Sequence, residues 1–174
     1  CDKVGIEFMS SVFNLQGVEW AEKLGMKRYK IASRCIGQQD LFDAVGETGK
    51  DMIVSLGMWH DANPTAPLPT HIKSKGKVDF LYCVAKYPTM PEDVDFDKID
   101  FKDKYSGFSD HTIGMNAPLI AVARGAKILE KHFTLSKKMH GPDHQGSMEP
   151  NELRQLVKSA REFEEFMSKW NIEF

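Results

Sequence analysis

The chain has 174 residues, 41% of them hydrophobic and 28% charged, and its 23 basic and 25 acidic side chains give a formal net charge of −2. That length supports one domain with a real core, and the near-balanced charge gives no footing for nucleic acid or an anionic membrane as partner. No apolar run approaches a membrane span and no signal peptide is visible, while Cys1, Cys35 and Cys83 lack CxxC spacing, against structural disulfides and for a reducing, cytoplasmic setting. The chain opens at Cys1 without a methionine, as a piece of a longer protein would.

Strand-length apolar runs recur along the chain: Gly5–Phe13, Met26–Ser33, Asp51–Met58, Val78–Tyr87, Lys104–Ser109 and Ala126–Phe133. Their starts lie between twenty and thirty residues apart, which suits βα units rather than hairpins. Leu15–Leu24 places Val18, Ala21 and Leu24 on one stripe and stops at Gly25, which predicts a helix. Asp40–Val45 is a shorter one. In Trp59–Lys77, Pro64, Pro67 and Pro69 predict a loop with at most a short helix near Pro69–Lys75, and Met90–Asp103 reads mostly as loop. Asn116–Arg124 has Asn116 as expected cap, Pro118 near its first turn and Gly125 at its end. Asn151–Trp170 is the clearest helix, with Leu153, Leu156, Val157, Ala160, Phe163, Phe166, Met167 and Trp170 at 3, 4 spacing after Pro150.

Six such units predict an α/β fold, either a doubly wound sheet or a (β/α)8 TIM barrel. Polar residues stand at the C-terminal ends of successive runs: Ser10 and Ser11, Lys30 and Ser33, Ser55, Lys86, Ser109 and His111, then His132. A doubly wound sheet concentrates function at one switch point, whereas a barrel draws it from many strand ends. The barrel is therefore expected, as a partial one of about six βα units over residues 1–174, with two N-terminal strands missing.

His111 and His132 end two successive runs and are the first site candidates. A lone histidine at a strand end is more often structural than a ligand. Two at equivalent positions on adjacent strands suit a divalent transition ion with open coordination positions. Ser109 and His111 share one face, as do Glu130 and His132, leaving Lys131 on the other. Lys30 lies in an otherwise apolar strand, where its stem can simply carry the charge to solvent. If it faces the barrel mouth instead, it needs an anion, and the hydroxyls of Ser11, Ser33, Ser55 and Ser109 would complete a phosphate or carboxylate cradle. Lys30 and Ser33 differ in parity, so both face one pocket only if the strand ends or bulges between them. Asp143, in Gly141-Pro142-Asp143-His144, is either a turn residue or a contact for a substrate hydroxyl or a metal ligand. Tyr87 is either a site residue or rim packing.

The motifs SDHT, ILEKHFT, MHGPDH, YKIAS and SLGM together resemble the N-acetylneuraminate (sialic acid) synthase family over essentially the whole chain. The resemblance implies a TIM barrel lacking its first two strands and the C-terminal antifreeze-like domain. It also implies condensation of phosphoenolpyruvate with an N-acylated aldose such as N-acetylmannosamine, giving a nine-carbon 2-keto acid and phosphate. Through it, His111 and His132 become ligands of a divalent ion, Mn2+ before Mg2+ or Co2+. Ser11, Lys30, Ser33, Ser55 and Ser109 become the phosphoenolpyruvate cradle, and Tyr87 and Asp143 the catalytic residues beside the sugar. A full-length homodimer is implied as well. Departures from the family pattern are Ser11-Val12 for Thr-Pro, Leu56 for Thr, Ala85 for Asn, and Ser33-Arg34-Cys35 where Ser-Gly-Glu is usual. The resemblance sets Cys35 in place of a sugar-binding carboxylate.

Overall fold

The computed structural model describes residues 1–170. It holds five parallel strands in the order β1-β2-β3-β4-β5: β1 Arg28–Ile31, β2 Asp51–Ser55, β3 Val78–Cys83, β4 Gly107–Asp110 and β5 Ile128–Lys131. Sequential order with every neighbour parallel is the wall of a barrel, and the strands curl as a half-barrel. The helices are α1 Leu15–Lys23, α2 Gln39–Glu47, α3 Asn116–Ala123 and α4 Pro150–Trp170. None is long and apolar enough to cross a membrane.

Period-two alternation sorts the two faces of the sheet. Tyr29, Ile31, Met52, Val54, Tyr82 and Phe108 join Leu41, Phe42 and Val45 of α2 in the main core. Lys30, Ser55, Cys83, Ser109 and Glu130 take the alternate positions and line the concave side. The strands approach closely at Gly107, where a Cβ would meet the Ile128 carbonyl oxygen at 2.0 Å. Any other residue there would push β4 and β5 apart.

Two expectations are corrected. Gly5–Phe13 is not a strand. Residues 1–10 are all exposed, Val4, Ile6, Phe8 and Met9 included, and only Ser11 bridges Lys30 while the Val12 N–H donates to the Lys30 carbonyl at 3.1 Å. An apolar run with no second layer to bury against gains too little to hold a ladder. The segment 59–77 is a loop as expected, with a 3-10 turn at His60–Ala62 and no helix over Pro69–Lys75. Asn116 is the first residue of α3 and not its cap; Met115 takes that place without a side-chain bond. The effective cap is Asn14, which opens α1 by accepting from the Gly17 N–H at 2.8 Å.

Candidate active site

The strand ends converge on two adjoining cavities of about 560 Å³ each, which share Tyr87, Asp110, His111, His132 and Asp143. One is the anion side. Lys30, only 5% exposed, sends its ammonium to Ser55 Oγ at 2.9 Å and to the Ile31 carbonyl at 3.1 Å. Burial of a lysine head requires such partners. Glu130, absent from the expected site, closes the group. Its Oε2 accepts from Ser109 Oγ at 2.6 Å and Ser55 Oγ at 3.2 Å, and stands 3.4 Å from Lys30 Nζ. Three residues from three other strands thus converge on one Glu130 carboxylate oxygen.

Ser33 reaches the same cavity because β1 ends at Ile31 and Ser33 opens a one-turn 3-10 helix, Ser33–Cys35. The parity conflict with Lys30 disappears at that break. Ser33 Oγ accepts from the Gly57 N–H at 2.9 Å and lies 3.6 Å from Cys83 Sγ. Gly57 is needed there: a Cβ would meet Cys83 Sγ at 2.7 Å. Ser11 lines the cavity from the edge of β1. The same turn buries Cys35 in the core, 1% exposed, and leaves Arg34 on the cavity wall. Cys35 therefore does not line the cavity; it belongs to the main core. Cys83 is another lining residue that went unexpected, and burial pushes its thiol up.

On the other side, the His111 and His132 rings lie 5.2 Å apart between centroids. Tyr87 packs against both, at 4.3 and 5.8 Å. His111 Nδ1 is 2.9 Å from the Val84 carbonyl oxygen. A carbonyl can only accept, so Nδ1 carries the proton and Nε2 keeps its lone pair. Burial lowers the His111 pKa, favouring the neutral imidazole that binds metal. Among the described residues no group of three or more His, Cys, Asp or Glu side chains forms a closed metal cage. The donor set is two imidazoles, which fits an open, partly water- or substrate-coordinated divalent ion rather than a structural zinc site. Asp143 is exposed and lines both cavities from the loop after β5.

The chain and its fold resemble known proteins. The NeuB family model matches residues 1–171. The chain is 36% identical over 172 residues to the N,N'-diacetyllegionaminic acid synthase of Campylobacter jejuni, covering 95% of this chain and 52% of that protein. It is 33% identical over 165 residues to human N-acetylneuraminate-9-phosphate synthase, covering 92% and 46%. A crystal structure of the Leptospira borgpetersenii sialic acid synthetase in complex with citrate superposes with a TM-score of 0.83 at 31% identity, covering 95% of this chain and 60% of that one. A Thermotoga maritima DAHP synthase shares the fold at 12% identity, with a TM-score of 0.68. The chain spans about half the length of the curated relatives it matches. By sequence and by fold alike, this chain belongs to the NeuB family.

Proposed function

We propose that this chain carries the core of a site that condenses phosphoenolpyruvate with an N-acylated aldose to a nine-carbon 2-keto acid, releasing phosphate. The carrying observation is the continuity of two sites. The Lys30–Ser55–Ser109–Glu130 group and the His111–His132 pair line one depression at the strand ends. Homologous synthases of legionaminic and N-acetylneuraminic acid derivatives support the substrate classes.

In this reading Lys30, Ser55 and Ser109 hold the enol phosphate, the lysine through charge-assisted bonds and the serines by rotating their hydroxyls away from Glu130. Ser11 and Ser33 line the same cavity and complete the cradle. Glu130 then stands, released from Lys30, as the carboxylate able to hold or return a proton at the reacting end of the enol. Tyr87 shields the imidazoles from solvent, and Asp143 accepts from hydroxyls of the sugar. A divalent ion held by His111 and His132, Mn2+ by expectation, would supply Lewis-acid polarisation of a carbonyl oxygen when bound.

Phosphate release from phosphoenolpyruvate in the presence of N-acetylmannosamine or a related acylamino aldose tests the reading; no sugar-dependent release with any divalent ion contradicts it. A binding role without turnover is the second reading. It is favoured by Ala85 on the cavity wall and by the core position of Cys35, which leave those two positions without the amide and the carboxylate usual in the family pattern. Calorimetric binding of phosphoenolpyruvate without phosphate release selects it.

A further inference from the structure

Three cations line the anion-side cavity, and two of them are compensated. Lys30 faces Glu130 at 3.4 Å, and Lys131 is paired with Asp110 at 2.5 Å. The third, Arg34, has no carboxylate at ion-pair distance among the described residues. Its guanidinium carbon sits 4.3 Å above the ring of Phe13. Both residues lie on the wall beside Ser11 and Ser33, and both are exposed to the cavity side. Stacking on an aromatic face restrains the plane of a guanidinium while leaving its edge N–H groups free. The one-turn helix Ser33–Cys35 sets this direction, since it turns Cys35 into the core and Arg34 outward.

We infer that Arg34 is a specificity residue that recognises an anionic group, phosphate or carboxylate, on a substrate at the mouth of the Lys30–Ser55 cavity, with Phe13 holding the guanidinium in place. Arginine suits such groups because its fork matches two acceptor oxygens at once. The same cavity is also lined by Asp143, an acceptor for hydroxyls. A ligand acidic at one end and hydroxylated at the other matches that polarity. The inference deepens the proposed function and rests on it for the identity of the ligand, which is either the enol phosphate itself or an acidic acceptor sugar.

The test is calorimetric titration of the protein and its Arg34→Ala, Arg34→Lys and Phe13→Leu variants. Four probes are used: inorganic phosphate, phosphoenolpyruvate, N-acetylmannosamine and its 6-phosphate. Arg34→Ala is expected to weaken at least one anionic probe by about 10- to 100-fold. Arg34→Lys should fall between it and the parent, Phe13→Leu should cost several-fold, and the neutral sugar should bind unchanged. Loss confined to phosphoenolpyruvate assigns the group to that substrate, and loss confined to the sugar phosphate assigns it to the acceptor. If phosphoenolpyruvate does not bind but phosphate or the sugar phosphate binds through Arg34, the proposed function fails and the Arg34 assignment stands. Equal binding of every anion by the parent and Arg34→Ala, absence of any anion binding, or an equal loss for the neutral sugar overturns the assignment.

Discussion

Asp110 and Lys131 form an ion pair of 2.5 Å directly behind the two histidines, with side chains 0% and 5% exposed. They are register partners on β4 and β5, and each immediately precedes a histidine. Asp110 also accepts from the Thr112 N–H at 2.8 Å and from Thr112 Oγ1 at 3.1 Å, while Lys131 donates to the Thr112 carbonyl oxygen. Every strong acceptor and donor in this group is satisfied within it. The pair borders the cavity at the strand ends that carry His111 and His132, and its hydrogen bonds run to Thr112 and not to the Lys30–Ser55–Ser109–Glu130 group.

Removing one partner leaves a buried, uncompensated charge. Asp110→Asn or Lys131→Met is therefore expected to lower stability by about 3–5 kcal/mol. The apolar double replacement Asp110→Leu with Lys131→Met should recover much of that loss. Urea denaturation checks both, and additive losses in the double variant would contradict a direct pair.

Losing either imidazole removes one of two donors from the open site. His111→Ala and His132→Ala should each weaken Mn2+ binding by about tenfold or more, with the fold retained, as followed by the electron paramagnetic resonance of free Mn2+. Unchanged affinity in both variants would place the ion elsewhere.

Glu130 competes with any anionic ligand for Lys30, Ser55 and Ser109. Glu130→Gln removes a like charge within a few ångströms of the cradle, worth up to about 4 kcal/mol at an intermediate dielectric. Phosphoenolpyruvate should consequently bind about tenfold tighter or better to the variant. Phosphate release should drop about 100-fold or more if the carboxylate handles a proton. Calorimetry and a phosphate assay separate the two effects, and weaker phosphoenolpyruvate binding would show that Glu130 orders the cradle instead of opposing its ligand.

Alkaline stability follows from two buried phenols. Burial is the main cause that raises the pKa values of Tyr82 and Tyr105, each to about 12 from an ordinary 10.0. The unfolded chain thus loses these protons first as pH rises. Their contribution, on the order of 2 kcal/mol each, is complete below pH 10 and disappears between about pH 10 and 12. Tyrosinate absorbance and the circular dichroism unfolding signal should rise together in that window. Tyrosinate formation well before loss of structure would contradict the linkage.

Much of this structure is legible in the chain because burial repeats at a fixed period. The runs for β1 to β5 and the stripes of α1, α2 and α4 are where periodicity places them, within a few residues. Gly5–Phe13 carries the same apolar signal but lacks a partner layer, and pattern alone does not report what a segment packs against. The cap at Asn14 was readable as an asparagine before a helical stripe, whereas Asn116 carried the same signal one position too late. Lys30, Ser55, Ser109, His111 and His132 gather where the strand-end logic expects them. Glu130 was marked by parity with His132, yet its tie to Lys30 joins β5 to β1 across the whole sheet and no local pattern announces it. Cys35 and Arg34 show the opposite limit. Their exchange of roles depends on one turn of 3-10 helix, which inverts which neighbour faces the cavity.

The central claim is that the anion cradle and the histidine pair form one site. Mn2+-induced broadening of the phosphorus resonance of bound phosphoenolpyruvate measures this directly, because paramagnetic relaxation requires the ion to lie close to the phosphate. Strong broadening is expected in the parent, abolished by His111→Ala with His132→Ala while phosphoenolpyruvate still binds. Broadening that persists in that double variant, or bound phosphoenolpyruvate that the ion never affects, would contradict the account.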